Sequence, residues 1–306
     1  MVTISNYHYI RENFNANYPS IFGVTPDLFK SQLILLKGKG DFISSNDLIL
    51  NGTEILKSKD NYYLITFDDG LKEQYNYALP ILEELNIPVI LFANSRNYQE
   101  KKVSTVHKIH LLRSILSPRE FLSKINHQNN LNSISDADVE KAQSIYIYDD
   151  KETAALKYLL NFKMNFTVQE KIIEVVFDIY FNENEVLNEL YMSEKEIIHL
   201  SKKGFLGSHT HSHFPIGLLS EDAIKFELEH SKLYFEKLTN TKIETVAYPY
   251  GSPEASTSEV AKIAKKVGYK YGFTTTRGIN TQDSNCLLLT RFDCNDMPGG
   301  KNYKVI

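Results

Sequence analysis

The 306-residue sequence predicts an α/β fold in which about seven strands alternate with helices around a barrel. Two apolar, β-forming runs at 62–67 and 88–93 flank a segment with helical periodicity at 72–85. This order is typical of a β-α-β unit with parallel strands and a right-handed crossover. The alternation resumes near residue 193, and a chain of this length suits an α/β barrel that forms one unit.

Local signals place the other elements of the barrel. Residues 2–10 alternate as a first strand, and Thr25 with Pro26 forms a good beginning for the helix that follows it. Pro80 lies inside the predicted helix at 72–85 and is expected to kink or split it. Four further segments are expected to be strands, at 205–208, 245–248, 271–275 and 287–292.

The region from about 95 to 191 is different, because its periodicity is mainly helical. Its last segment, 168–190, has a broad apolar face and is predicted to be one long helix. We interpret the chain as a single domain spanning 1–306, with a helical insertion at about 95–191. We expect the insertion to lie over the catalytic face of the barrel.

Composition excludes some functional classes. A net charge of −4 gives no basis for nucleic-acid or anionic-membrane binding. The N-terminus lacks the basic and apolar regions of a signal peptide, and no stretch approaches about 18 apolar residues. We therefore expect a soluble, cytoplasmic protein without membrane insertion, whose two thiols, Cys286 and Cys294, are reduced. The sequence does not determine its oligomeric state.

Polar side chains of the types that bind metals follow two of the predicted strands. Asp68 and Asp69 end the strand at 62–67, and His209 and His213 follow the strand at 205–208. The carboxyl ends of parallel strands converge on one face of a barrel, where active sites form. One carboxylate and two imidazoles leave positions open on a catalytic metal, and the second acid is then free to act as a base. Alone, the acids fit a helix N-cap and the histidines a solvated turn; together they favour a metal site.

At these residues the sequence resembles the polysaccharide deacetylases of the NodB-homology type, carbohydrate esterase family 4. The motif Thr-Phe-Asp-Asp-Gly at 66–70 matches the first motif of that family in full. The segment 208–213 matches its second, His-(Ser/Thr)-x-x-His, and the Pro-Tyr-Gly at 249–251 matches part of its third. The resemblance covers about 200 residues of the barrel and implies a distorted (β/α)7 barrel of NodB-homology type.

The resemblance also implies roles for the site residues. Asp69, His209 and His213 would hold one divalent metal ion, most often zinc in this family, with cobalt and nickel as alternatives. The metal would polarise the acyl carbonyl and activate water. Asp68 would be the catalytic base, and the backbone N–H of Tyr250 would stabilise the oxyanion.

Two features depart from the pattern of the family. The arginine that usually begins the third motif and braces the base is replaced by Ala247, and Arg291 is the candidate to reach the same carboxylate from the last strand. The usual Leu-x-His, whose histidine protonates the leaving amine, is also missing, since no histidine follows His230. His107 in the insertion is a candidate for the catalytic acid, and His8 a candidate for lining the pocket.

These residues predict a metal-dependent carbohydrate N-deacetylase that acts in surface-polysaccharide or glycoconjugate biosynthesis. The expected substrate is an N-acylated amino sugar or a glycan linked to a nucleotide or a lipid, or another sugar of the cytoplasm. The missing Leu-x-His leaves two alternatives open. The first is a deformylase or another amidohydrolase on the same scaffold, and the second is a non-catalytic sugar-binding relative.

Overall fold

The computed structural model describes residues 1–13, 23–129, 135–145 and 149–303. Its strands, all parallel in their pairings, are β1 (Val2–Tyr7), β2 (Asp41–Phe42), β3 (Tyr62–Phe67), β4 (Val89–Ala93), β5 (Leu206–Ser208), β6 (Thr245–Ala247), β7 (Tyr271–Phe273) and β8 (Phe292–Asp293). Its α-helices are α1 (Pro26–Lys37), α2 (Ser45–Lys57), α3 (Leu79–Leu85), α4 (Arg96–Gln99), α5 (Thr105–Ile115), α6 (Pro118–Asn129), α7 (Asp136–Ile145), α8 (Lys151–Tyr158), α9 (Phe166–Tyr180), α10 (Glu183–Leu190), α11 (Glu194–Lys202), α12 (Glu221–Thr239) and α13 (Ser258–Val267).

Seven strands form one curled sheet in the order β7-β6-β5-β4-β3-β1-β8, and the two-residue β2 pairs with β3. The segment before β8 also hydrogen-bonds to the β7 region, through Thr274 N to Leu289 O (2.8 Å) and Arg291 N to Thr276 O (2.9 Å). The last stretch of chain therefore connects the two ends of the sheet, because it pairs with β1 through β8 and with the region of β7 through the residues before β8. The predicted distorted (β/α)7 barrel is confirmed.

The buried apolar side chains of the strands fall into two clusters. One cluster includes Leu64 and Phe92 with alternate residues of β1, β6 and β7. The other includes Ile65 and Phe67 with the inner faces of helices such as α12 and α13. Because successive side chains of a strand point to opposite faces, β1, β3, β4 and β6 each contribute to both clusters. The polar residues that follow the strands are thus held on a rigid apolar base.

The described residues divide into two compact units, one of 1–13, 23–102 and 187–303 and one of 103–129, 135–145 and 149–186. The first contains the barrel, and the second contains α5 to α9 and the beginning of α10. The second unit falls inside the segment expected to be a helical insertion. Its position over the catalytic face and the single-domain organisation stay predictions. Among the described residues, no helix is long and apolar enough to cross a membrane.

The structure differs from the predicted helices in two places. The predicted long helix at 168–190 is wrong: α9 ends at Tyr180, and Asn182 begins α10 by accepting hydrogen bonds from the backbone N–H groups of Asn184 and Glu185. A capping side chain therefore outweighs continuous apolar periodicity. Helix α7 was not predicted from the sequence. Its buried apolar contact is small and consists of Ala142 against Ala154 and Tyr158.

The helix expected at 72–85 is split, as Pro80 predicted. A π-helical turn, Gln74–Ala78, precedes α3, and Pro80 lies in the first turn of α3. Proline has no N–H to donate, so the first turn of a helix is the position that tolerates it. The π-helical turn leaves Gln74 fully buried beneath the carboxyl ends of β1 and β3.

Gly207 in β5 provides a test of how closely the barrel is packed. A Cβ atom at this position would overlap the ring of Phe92 and lie 2.8 Å from Thr245 Oγ1. We expect Gly207→Ala to lower the free energy of unfolding by about 1–3 kcal/mol, measured by denaturant titration. Gly38→Ala is the control, since a Cβ there meets no atom closer than Leu35 O at 3.7 Å, and it should change stability little. Equal effects of the two variants would contradict the close packing of β5.

Candidate metal centre and catalytic groups

The two acids of the first motif lie at the carboxyl end of β3 and are buried. Asp68 is 2% exposed and Asp69 is 4% exposed. Asp69 has a φ of 78°, in the left-handed region that residues with a side chain rarely adopt. This turn directs the two neighbouring carboxylates toward different partners, so they can have different chemical roles.

Asp69 lies beside the two histidines that follow β5. Its Oδ1 is 3.1 Å from Nε2 of His213 and 3.5 Å from Nε2 of His209. One ligand atom from each of the three residues lies within 4.8 Å of the others, and all three residues are buried. The structure therefore brings together the three predicted metal ligands.

The hydrogen bonding of His209 favours metal binding. Its Nδ1 lies 2.8 Å from the carbonyl oxygen of Ala247. Because a carbonyl only accepts, Nδ1 carries the hydrogen, and Nε2 of the neutral ring keeps its lone pair for a metal. Two imidazole nitrogens and one carboxylate are a donor set that zinc accepts in catalytic sites. The residues present thus fit the divalent metal that the sequence implies.

Asp68 forms a bidentate ion pair with Arg291. Nη1 and Nη2 of Arg291 donate to Oδ1 and Oδ2 of Asp68 at 2.8 and 2.7 Å, and the arginine is 1% exposed. Burial acts to raise the pKa of Asp68, but the charge and the hydrogen bonds of Arg291 oppose it, and that pKa lies below its usual value. Arg291 therefore contacts the carboxylate of Asp68, in place of the arginine that Ala247 replaces in the third motif.

His8, which the sequence suggested only as a residue that lines the pocket, lies beside the carboxylate of Asp68. Its Nε2 lies 3.8 Å from Oδ2 of Asp68, and its side chain is 38% exposed. The sequence feature that indicates this contact is the position of His8 directly after β1. Because Tyr7 pairs with Phe67, His8 lies opposite Asp68. Gln74 fixes this arrangement by donating to the carbonyl oxygens of His8 (3.0 Å) and Asp68 (2.6 Å).

The Pro-Tyr-Gly turn after β6 brings Tyr250 to the same site. Tyr250 has a φ of 63°, and its ring lies edge-on to His213 at 5.5 Å between centroids. Gly251 follows with a φ of 54°, where a Cβ would lie 2.7 Å from the side chain of Thr275. The glycine is therefore required by a close approach of two chain segments. The role of the Tyr250 N–H at an oxyanion stays a prediction.

His107, the other histidine predicted to act at the site, and His211 have different surroundings. His107 lies on α5 in the helical unit, is 1% exposed and has its ring 5.9 Å from that of His110. Its role as a catalytic acid stays a prediction. His211 is buried, with Nδ1 2.8 Å from Ser95 Oγ and Nε2 3.0 Å from Glu100 Oε1. His211 thus anchors the loop between His209 and His213 through its own side chain.

Comparison with known proteins identifies the family that the sequence matches. The sequence matches the profile of the polysaccharide deacetylase family over residues 56–140 and 148–272. A curated relative, the putative polysaccharide deacetylase YxkH of Bacillus subtilis (strain 168), is 26% identical over 102 residues, which are 33% of this chain and 36% of the relative. The chain thus aligns with little more than a third of that protein.

Solved structures share the fold at low identity. The deacetylase PplD of Streptococcus pyogenes, solved in complex with acetate, has a TM-score of 0.57 and 19% identity, over 97% of this chain and 93% of PplD. IcaB from Ammonifex degensii has a TM-score of 0.58 and 16% identity, over 95% and 90% of the two chains. A de-N-acetylase from Aggregatibacter actinomycetemcomitans has a TM-score of 0.55 and 14% identity, over 96% and 95%.

Metal binding is the first property to test. We expect the metal-free protein to bind about one equivalent of zinc, because the part of the chain that the structure describes contains one such buried three-ligand set. His209→Ala and Asp69→Asn should each abolish tight binding in a competition titration with a chromophoric chelator. His199→Ala is the control: this histidine lies on α11, where Nδ1 contacts Tyr75 OH, and its loss should leave zinc affinity unchanged. Zinc binding that survives His209→Ala would contradict the ligand assignment.

Proposed function

This chain belongs to the polysaccharide deacetylase family, and on that premise we propose that it is a metal-dependent hydrolase that removes an N-acyl group from an amino sugar. The acyl group that we propose is acetyl. The products are then the free carboxylic acid and a sugar with a free amine. The observation that carries the proposal is the unequal surroundings of two adjacent carboxylates.

Asp68 and Asp69 are neighbours in sequence but have different partners. Asp68 pairs with the guanidinium of Arg291, whereas Asp69 lies against two imidazoles. Titratable groups whose environments differ in this way divide the work of catalysis. We assign Asp69, with His209 and His213, to a divalent metal, and Asp68 to proton transfer. Zinc is the proposed metal, with cobalt and nickel as the alternatives to test.

A metal ion at this centre would supply Lewis-acid polarisation of the acyl carbonyl and make water more acidic. Asp68 takes a proton from the attacking water, which it can do because its pairing with Arg291 keeps it ionised. The new C–O bond gives a tetrahedral species. The backbone N–H of Tyr250 is the proposed donor to its oxyanion.

His8 is the proposed catalytic acid. The amine leaves only when its nitrogen gains a proton as the C–N bond breaks, and an imidazole can donate that proton near neutral pH. His8 lies 3.8 Å from Oδ2 of the proposed base, and its side chain is 38% exposed, so it is accessible to a substrate that binds at Asp68. It would thus perform the role of the missing Leu-x-His. His107 stays a second candidate for this role.

The form of the sugar substrate is part of the proposal. The family name implies a carbohydrate, and the proposed role is in surface-polysaccharide or glycoconjugate biosynthesis. Nucleotide-linked and lipid-linked N-acylated amino sugars are two candidate forms, and a polymer is a third. Each form presents the same secondary amide to the site, so one assay can compare them.

Product analysis of the wild type and of variants at Asp68 and His8 tests the reaction. We expect the zinc-loaded protein to release acetate and free amine from one class in a panel of N-acetylated oligosaccharides and of nucleotide- and lipid-linked sugars. Asp68→Asn should lower kcat by about 10²–10⁴-fold, because it removes the base. His8→Ala should lower kcat in the same range while zinc affinity is retained.

The control for the acid is His107→Ala, which should leave kcat unchanged. A large loss in that variant, with full activity in His8→Ala, would assign the acid to the helical unit. Release of formate, or opening of a ring, would favour another amidohydrolase. Normal turnover by Asp68→Asn would exclude Asp68 as the base.

The Arg291–Asp68 pair predicts a shift in the pH dependence. The base must be ionised, so the acid limb of kcat/KM reports its pKa, which Arg291 lowers. In Arg291→Gln the raising effect of burial is no longer opposed by the guanidinium, so the acid limb should move to higher pH. Arg291→Lys keeps one positive charge and should shift it less. An acid limb that does not move in Arg291→Gln would show that Asp68 is not the group that titrates.

A further inference from the structure

The loop between His209 and His213 has an unusual backbone. Thr210 has a φ of 63° and His213 a φ of 60°, both in the left-handed region that residues with a side chain rarely adopt. Two such residues within five positions need contacts from neighbouring elements to hold them. Since the loop joins two of the three proposed metal ligands, whatever holds it also sets the spacing of those ligands.

Residues before and within α4 hold the carbonyl groups of this loop. Three donors contact three successive carbonyl oxygens: the side-chain amide of Asn94 to His209, the backbone N–H of Ser95 to Thr210 (3.3 Å) and that of Arg96 to His211 (3.1 Å). These contacts restrain one edge of the loop. They leave the N–H groups of residues 211 and 212 to be bonded by another element.

Glu227 on α12 accepts from both of those N–H groups. Its Oε2 lies 3.0 Å from the backbone nitrogen of His211 and 2.8 Å from that of Ser212, and Glu227 is 4% exposed. A carboxylate that accepts from two successive backbone N–H groups is a charge-assisted anchor. A further bond between β5 and α12, from Ser208 Oγ to Ser231 Oγ at 2.8 Å, fixes the helix next to the loop.

We propose that Glu227 is a positioning residue for the metal centre, which holds the loop so that Nε2 of His209 and Nε2 of His213 face Asp69. It touches neither the metal nor the substrate and acts through the backbone of residues 211 and 212. The inference rests on the proposed function, because it assumes a metal at Asp69, His209 and His213. Replacing Glu227 is therefore expected to change the affinity for the metal and not the proton-transfer step.

Three substitutions at one position separate hydrogen bonding from charge. Glu227→Leu removes both acceptors, and we expect zinc affinity to fall by about 10–100-fold, as for other groups that orient metal ligands. Glu227→Asp keeps the charge but is one methylene shorter, so affinity should also fall. Glu227→Gln keeps an acceptor oxygen at the same reach and should stay closest to wild type. Each is measured by chelator competition on protein whose fold is checked by circular dichroism.

Glu229→Gln is the matched control, because Glu229 lies on the same helix, is 48% exposed at its side chain and pairs with Lys225 at 3.9 Å. Its zinc affinity should equal that of wild type. If Glu227→Leu does not fold, the Asp and Gln variants, which keep a polar group, carry the test. Loss of affinity in Glu227→Gln with wild-type affinity in Glu227→Asp would overturn the proposal, as would unchanged affinity in all folded variants. Absence of zinc binding by wild type would instead overturn the proposed function, and this inference with it.

Discussion

The buried ion pair between Asp68 and Arg291 is the interaction on which the rest of the site depends. A carboxylate that is almost fully removed from water is unfavourable without a partner, and removing one member of such a pair costs about 3–5 kcal/mol. Arg291 also donates to Thr274 O (2.8 Å), Asn6 Oδ1 (3.1 Å) and Thr66 Oγ1 (3.2 Å). One guanidinium therefore joins β1, β3 and the chain after β7 beneath the candidate active site.

This constraint explains how two adjacent acids acquire different roles. The guanidinium occupies both oxygens of Asp68, while the left-handed turn at Asp69 carries the next carboxylate to the histidines. Gln74 then ties the carbonyl of Asp68 to that of His8, so the proposed base and acid are fixed relative to each other by the backbone. A short stretch of chain thus holds the groups proposed for metal binding and those proposed for proton transfer.

Much of the fold and the centre of the site could be predicted because their signals are local. The strand at 62–67 is a continuous β-forming run, and Thr25 begins α1 as its side chain and Pro26 indicated. Asp69, His209 and His213 follow strands that parallel pairing brings to one face. Helix boundaries were less predictable where one polar side chain decides them, as Asn182 does between α9 and α10. Helix α7 escaped prediction because few apolar residues mark it.

The sequence by itself determined which chemical groups end the strands, since a buried strand, its final acids and the spacing of two histidines are all local features. Only the tertiary structure decided which distant groups complete them. Arg291 and Asp68 are 223 positions apart, and His8 and Asp68 come together through the pairing of β1 with β3. The reason is physical: local sequence specifies backbone conformation, whereas the partner of a buried charge depends on which strands become neighbours in the sheet.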